Sequence, residues 1–146
     1  METAVIEKIS NVARVKADYA KSSFLKCFVY SMFAGAYIGI GITLIFTLGA
    51  QISGSEYTVG LTKLVMGASF GLALSMCIMC GSDLFTGNNL LMGVGAMTRR
   101  VSWLEAFHVW GINLIGNLAG SLLVAWIITM SGLLNNEQFG TFVVTM

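Results

Sequence analysis

The sequence predicts an all-α membrane protein with three spans, the second of which is broken by a loop near the membrane midplane. Hydrophobic residues make up 56% of the 146 residues, charged residues make up only 10%, and proline is absent. Uncharged runs long enough to cross a bilayer recur along the chain. This composition is typical of a multi-pass protein of the cell membrane and unlike that of a soluble domain.

The two unbroken spans are predicted at residues 27–55 and 103–134, where charged residues are almost absent. Residues 1–26 contain five of the eight Lys and Arg residues, with apolar residues at helical spacing, and predict an amphipathic helix at the cytoplasmic surface. Lys63 is the one cation on the opposite side, so the positive-inside rule places the N-terminus in the cytoplasm. Residues 135–146 are then extracytoplasmic, and their abrupt apolar end favours a truncated chain.

The second span, residues 63–97, is too long for a single crossing. A continuous helix of that length would extend about 52 Å, against a hydrocarbon core of about 30 Å. Its middle, at about residues 81–89, contains glycines, short polar side chains and a carboxylate, which are typical of a helix break. Irregular backbone is tolerated inside a membrane where it is buried in protein or lines a polar cavity, so the break predicts a transport pathway.

Composition and cysteine usage exclude several other classes. The net charge of +1 and the absence of a basic run interleaved with aromatics argue against a nucleic-acid partner. Cys77 and Cys80 have the spacing of a redox or metal motif, but no second Cys/His pair accompanies them, so we interpret them as small packing residues. The rival interpretation is a membrane thiol enzyme. Neither a metal site nor a cofactor is predicted, and His108 is expected to be an interfacial histidine.

Three motifs resemble those of the formate/nitrite transporter family. Gly-Ser-Asp-Leu-Phe-Thr-Gly-Asn at residues 81–88 resembles the loop of its second membrane segment, and residues 34–41 and 114–120 resemble motifs of its first and third. The resemblance extends over about residues 22–134, which is only the first half of such a transporter. It implies one half of a six-span, inverted-repeat, aquaporin-like channel fold that assembles as a homopentamer.

The resemblance also implies pore residues on the first half-helix and in the loop. Leu74 and Leu84 match the narrow apolar ring of the family, and Phe70 matches an aromatic position in the pore wall. On the residues alone, this apolar face of the half-helix would be interpreted as core. Thr86 matches the loop threonine and is predicted to contact the substrate through its hydroxyl group.

The remaining polar residues of the loop are predicted to shape it. The charge of Asp83 costs free energy in an apolar environment unless it is paired, and we expect its carboxylate to accept hydrogen bonds from N–H groups of the loop. Gly81 and Gly87 allow the turn, and Thr86 and Asn88 are suited to cap the second half-helix, whose positive end would attract an anion. The first half-helix brings its negative end to the same region, so the sequence does not determine the sign of the net electric field there.

The prediction is therefore a channel-like transporter of small monovalent anions, formate or nitrite, with hydrosulfide as a close alternative, and not an enzyme. The central histidine of the family, and a lysine thought to attract the anion, belong to the half of the fold that this sequence does not contain. Transport by the chain alone is not expected, and a complementary second half is a predicted partner. The alternative is a non-transporting half-protein that modulates full-length relatives. The resemblance also implies that the N-terminal helix reaches a neighbouring protomer.

Overall fold

The computed structural model describes residues 2–54 and 57–145, and six α-helices make up most of this part of the chain. Residue 55, the predicted end of the first span, lies outside the described residues. Three segments are long and apolar enough to cross a membrane, namely Phe24–Ser53, Val59–Met79 and Trp103–Met130. The helices are α1 (Glu2–Ser22), α2 (Phe24–Ser53), α3 (Thr62–Met79), α4 (Phe85–Met97), α5 (Trp103–Met130) and α6 (Glu137–Thr145), with 3₁₀ turns at Val59–Leu61 and Leu133–Asn135.

The pair of α2 and α5 forms the centre of the structure, and glycines bring the two backbones together. A Cβ atom added to Gly35 would overlap the backbone of Asn117, and one added to Gly120 would overlap the backbone of Met32. At Gly116 the added atom would lie 2.5 Å from Cβ of Ser31. Small residues at these positions let the backbones approach closely, which is how helices associate in a membrane.

The broken segment packs against different partners on its two sides. Helix α3 lies on α2, where Gly41 makes room for Ala73, whereas α4 lies between α1 and α5. Helix α3 turns its Ala73 face towards α2 and leaves Gly67 and Gly71 open, since an added Cβ on either would have no neighbour within 4 Å among the described residues.

Helix α1 packs through its small residues. Ala13, Ala17 and Ala20 are almost completely buried against α4 and α5, and the Ser10 hydroxyl lies 2.9 Å from that of Thr98 on α4. Three larger apolar residues of the same helix are exposed: Val5, Ile6 and Val12. Alanines face α4 because they permit close contact with Gly95, where an added Cβ would meet that of Ala13 at 2.5 Å.

A tight turn, held to α1 by ion pairs, connects α4 to α5. Arg99 ends α4 in a left-handed conformation with φ of 59°. Ser102 and Glu105 form a capping box at the start of α5. The Glu105 carboxylate also accepts from Lys21 at 2.5 Å and from Arg14 at 3.2 Å, so the cations of α1 anchor the helix to this turn.

Candidate functional site

The end of α3 is closed by a Schellman motif. Gly81, with φ of +65°, reverses the chain after Cys80. Its N–H donates to the carbonyl of Ile78 at 3.3 Å, and the N–H of Ser82 donates to that of Cys77 at 3.1 Å. These bonds occupy the carbonyl groups that a helix C-terminus otherwise leaves unpaired. The loop therefore leaves the negative end of α3 largely satisfied.

The start of α4 is not closed in the same way. The N-cap residue is Leu84, and no side chain caps the helix from that position. Of the first four N–H groups, which no helical carbonyl can pair, that of Phe85 donates to Oδ1 of Asn117 at 3.0 Å. The N–H groups of Leu84, Thr86 and Gly87 have no acceptor among the described residues. The helix therefore begins with unpaired donors.

The predicted caps are consequently wrong in detail. Thr86 and Asn88 were expected to precede the second half-helix, but they lie within its first turn. The break is also shorter than predicted, since α4 begins at Phe85 and not after residue 89. The physical reason is that Asn117, from α5, supplies the capping oxygen at the first N–H, so no loop residue needs to do so.

An open cavity of about 650 Å³ lies where the two half-helices meet. One part of its wall is apolar and includes Leu74, Ile78 and Leu84, and the other part is polar and includes Thr86 and Gly87. The three residues with unpaired N–H groups, Leu84, Thr86 and Gly87, all line this cavity. Unpaired amides at a helix N-terminus, together with the positive end of the helix dipole, form a binding site for an anion.

Asp83 is held by side chains from outside the loop. Its carboxylate forms an ion pair with the ammonium group of Lys16 on α1, and Nδ2 of Asn88 donates to the same oxygen at 3.3 Å. The sequence predicted loop N–H groups as its donors, whereas α1 brings a cation to it instead. Lys16 also lines the cavity, so a positive side chain from α1 lies beside the α4 donors.

The structure brings most of the predicted site residues together. The cavity is lined by six of them: Leu74, Gly81, Leu84, Thr86, Gly87 and Asn88. Phe70 lies one turn before Leu74 on α3, outside the cavity lining, and Asp83 contacts the cavity through Lys16. The indole N–H of Trp110 fixes the carbonyl of Asn88 at 3.1 Å. Lys16 and Asn117 were not predicted as site residues. Asn117 lies within residues 114–120, which resemble a motif of the third membrane segment of the family, and this was the only sequence signal for it.

The two cysteines of the broken segment differ in exposure. Cys77 is buried and its thiol lies 3.8 Å from the carbonyl oxygen of Ala34. Cys80 is exposed at the end of α3, so the prediction of a second packing cysteine is wrong. Cys80 is the C-cap residue of α3. Both thiols are free.

Together these features define an α-helical membrane protein in which a broken segment turns around a mostly apolar cavity with hydrogen-bond donors on one side. Comparison with known proteins identifies it further. The chain belongs to the formate/nitrite transporter family, whose family model matches residues 3–146. The predicted family is thus confirmed over nearly the whole chain.

Relatives and a solved structure agree with this assignment. The chain is 38% identical over 133 residues to the nitrite transporter NirC of Salmonella typhimurium strain LT2, covering 90% of this chain and 47% of that protein. It is 34% identical over 118 residues to the formate channel FocA of Escherichia coli strain K12, covering 80% and 40%. A solved FNT family ion channel matches with a TM-score of 0.81 and 36% identity, over 89% of this chain and 50% of that channel. The chain spans about half the length of the curated relatives it matches.

Proposed function

We propose that this protein is part of a channel-like transporter that carries small monovalent anions, formate or nitrite, across the cell membrane. The observation that carries the proposal is the start of α4, where the cavity is lined by Leu84, Thr86 and Gly87, three residues whose N–H groups have no acceptor among the described residues. An anion of a few atoms would accept hydrogen bonds there without displacing any protein partner. The names of the relatives, a nitrite transporter and a formate channel, support the same class of solute.

Selection against larger hydrated ions would come from the apolar part of the wall. The side chains of Leu74 and Leu84 offer no hydrogen bonds, so a hydrated ion would lose water beside them without compensation. A small anion would lose less water and would then meet the Thr86 hydroxyl and the α4 donors. Phe70, one turn further along α3, would extend the apolar wall. Asp83 would shape the loop without repelling the anion, because Lys16 neutralises it.

The complete pore requires a second unit. The described residues form the cavity wall on the side of α3 and α4, and the matched relatives are about twice as long as this chain. We propose that a further three-span unit, inverted in the membrane, covers the cavity, and that the assembly is a homopentamer with the N-terminus in the cytoplasm. The chain alone would not transport. Reading the coding sequence after residue 146 separates a fragment of a longer chain from a separate half-length product.

Nitrite is the first solute to test, because the relatives with the highest identity reported above carry that name. The chain would be co-expressed with the C-terminal half of NirC and reconstituted in liposomes, and uptake of nitrite, formate and hydrosulfide would be measured. We expect nitrite flux from the paired halves and none from the chain alone. Preferential hydrosulfide flux would favour the alternative solute, and co-purification without flux of any anion would favour a non-transporting modulator.

Thr86 supplies the residue-level test in the same assay. Thr86→Val removes the hydroxyl and keeps the shape, whereas Thr86→Ser keeps the hydroxyl. We expect nitrite flux to fall roughly 10-fold in the valine variant and to be retained in the serine variant, as expected for the loss of one hydrogen bond to a charged solute. Equal flux in both variants would show that the hydroxyl does not contact the solute.

The double variant Cys77→Ala with Cys80→Ala tests the enzyme alternative. It should leave nitrite flux intact, and loss of a thiol-dependent activity would support a membrane thiol enzyme instead.

A further inference from the structure

We propose that Asn117 is the residue that positions the start of α4 for anion binding; the anion part of this inference rests on the function proposed above. Its carboxamide makes three hydrogen bonds to three different segments. Oδ1 accepts from the N–H of Phe85 at 3.0 Å, and Nδ2 donates at 2.9 Å both to the carbonyl of Asp83 and to that of Ser31 on α2. One side chain of α5 thus joins the loop, the first turn of α4 and the central helix pair.

The depth of Asn117 in the structure follows from the glycines around it. Gly35 of α2 lies directly against the Asn117 backbone, and Gly116 and Gly120 flank it on α5. The backbones of the two helices therefore lie close together around Asn117. Asn117 lies about 21 Å from the start of α5, which places the loop well inside the span. Without the hydrogen bonds of the Asn117 carboxamide at that depth, the backbone groups that it pairs would be left unpaired in an apolar environment.

The chemistry of the contact requires a carboxamide. Phe85 needs an acceptor, whereas the carbonyl groups of Asp83 and Ser31 each need a donor, and only Asn or Gln offers one acceptor together with two N–H donors. Because Asn117 occupies the N–H of Phe85, the first residue of α4, the next two N–H groups of the helix, on Thr86 and Gly87, stay unpaired in residues that line the cavity. Asn117 thereby sets which donors meet a ligand and the direction in which the helix points.

Asn113 is a matched control on the same helix. It is completely buried one turn before Asn117 and also contacts Ser31, accepting from its hydroxyl at 2.7 Å. Its contacts belong to the α2–α5 seam, and none of them reaches the loop. After its removal the Ser31 hydroxyl keeps a bond to the carbonyl of Cys27 at 2.9 Å, and the Nδ2 of Asn113 has no partner to lose among the described residues.

Hydrogen–deuterium exchange of the purified protein in detergent tests the positioning role without any transport. In Asn117→Ala we expect the hydrogen-bonded amides of Asp83, Phe85 and Asn88 to exchange roughly 10- to 100-fold faster than in the parent, because the three hydrogen bonds of the Asn117 carboxamide are lost. Asn113→Ala should remain within about twofold of the parent at the same amides. Asn117→Asp keeps the shape and the acceptor for Phe85 and should exchange at an intermediate rate. Equal exchange in the Asn117→Ala and Asn113→Ala proteins would overturn the inference.

Nitrite uptake by the paired halves then separates the two proposals. If Asn117 positions α4 and the α4 donors bind the anion, Asn117→Ala raises the half-saturating nitrite concentration roughly 10-fold, as expected for misplaced donors. Asn113→Ala then leaves that concentration unchanged. Faster exchange with unchanged half-saturation would support Asn117 as the positioning residue and overturn the α4 donors as the anion site. Parental exchange together with altered uptake would overturn the positioning role, whatever the solute.

Discussion

Replacing Lys16 with methionine tests the contact that attaches α1 to the loop. The Lys16 ammonium pairs with the Asp83 carboxylate, and their side chains are only 28% and 11% exposed. Removing one member of a buried pair costs about 3–5 kcal/mol, because the other charge stays buried without its partner. The partial exposure of Lys16, and the bond from Asn88 that remains, lower our expectation to about 2–3 kcal/mol.

The assay is thermal unfolding in detergent, with Lys21→Met as the matched control. Lys21 pairs with Glu105, whose carboxylate retains Arg14 at 3.2 Å and the Ser102 N–H at 2.7 Å after the change. Its loss should cost less than about 1 kcal/mol, as exposed ion pairs usually do. The double variant Lys16→Met with Asp83→Asn removes both charges and should recover most of the stability lost in the single variant.

Two results would refute this reasoning. If Lys16→Met destabilises no more than Lys21→Met, then the pair with Asp83 is not a buried contact in the folded protein. If the effects of Lys16→Met and Asp83→Asn simply add, then the two side chains are not coupled, since residues in direct contact give non-additive changes. Either outcome would also remove Lys16 as a cation beside the α4 donors.

Three further changes have defined expectations. Leu74→Asp should lower nitrite flux through the paired halves at least about 10-fold, because a carboxylate in an apolar wall is costly and repels anions. His108→Ala, at an exposed site, should leave the flux within about twofold. Gly81→Ala should lower the free energy of unfolding by about 1–2 kcal/mol because its φ is +65°, and Gly67→Ala, at an open helical site, should not lower it. Arg99→Gly should raise it by roughly 0.5–1 kcal/mol in thermal melts by relieving a left-handed residue, and a loss of stability would contradict that reasoning.

The helices and the existence of the break were predictable because their signals are local. Long uncharged runs predict spans, and the glycines, Ser82 and Asp83 interrupt one of them. The extent of the break was predicted wrongly because the start of α4 depends on Asn117, which is 32 residues away from Phe85 in the chain. No local pattern indicates that a distant carboxamide will take the place of a loop cap.

The same limit applies to α1 and its contact with the site. Valines, isoleucines and alanines recur together at helical spacing in residues 1–26, and this spacing does not indicate which of them contact another helix. The alanines are buried because α4 presents Gly95, a close-contact surface that becomes visible only when the two helices are placed together. That rotation of α1 carries Lys16 to Asp83, which is 67 residues away in the chain.

The two half-helices bring opposite dipole ends to the loop, and the hydrogen bonds decide which of them a solute meets. The carbonyl groups of Met76, Cys77 and Ile78 at the end of α3 accept from the N–H groups of Cys80, Ser82 and Gly81, so the loop pairs this negative end. The first turn of α4 keeps its donors on Thr86 and Gly87 unpaired at the cavity. Because Lys16 neutralises Asp83, the nearest carboxylate adds little opposing field. Donors without acceptors favour an anion over a cation of the same size, and they do so before any residue of a second half contributes.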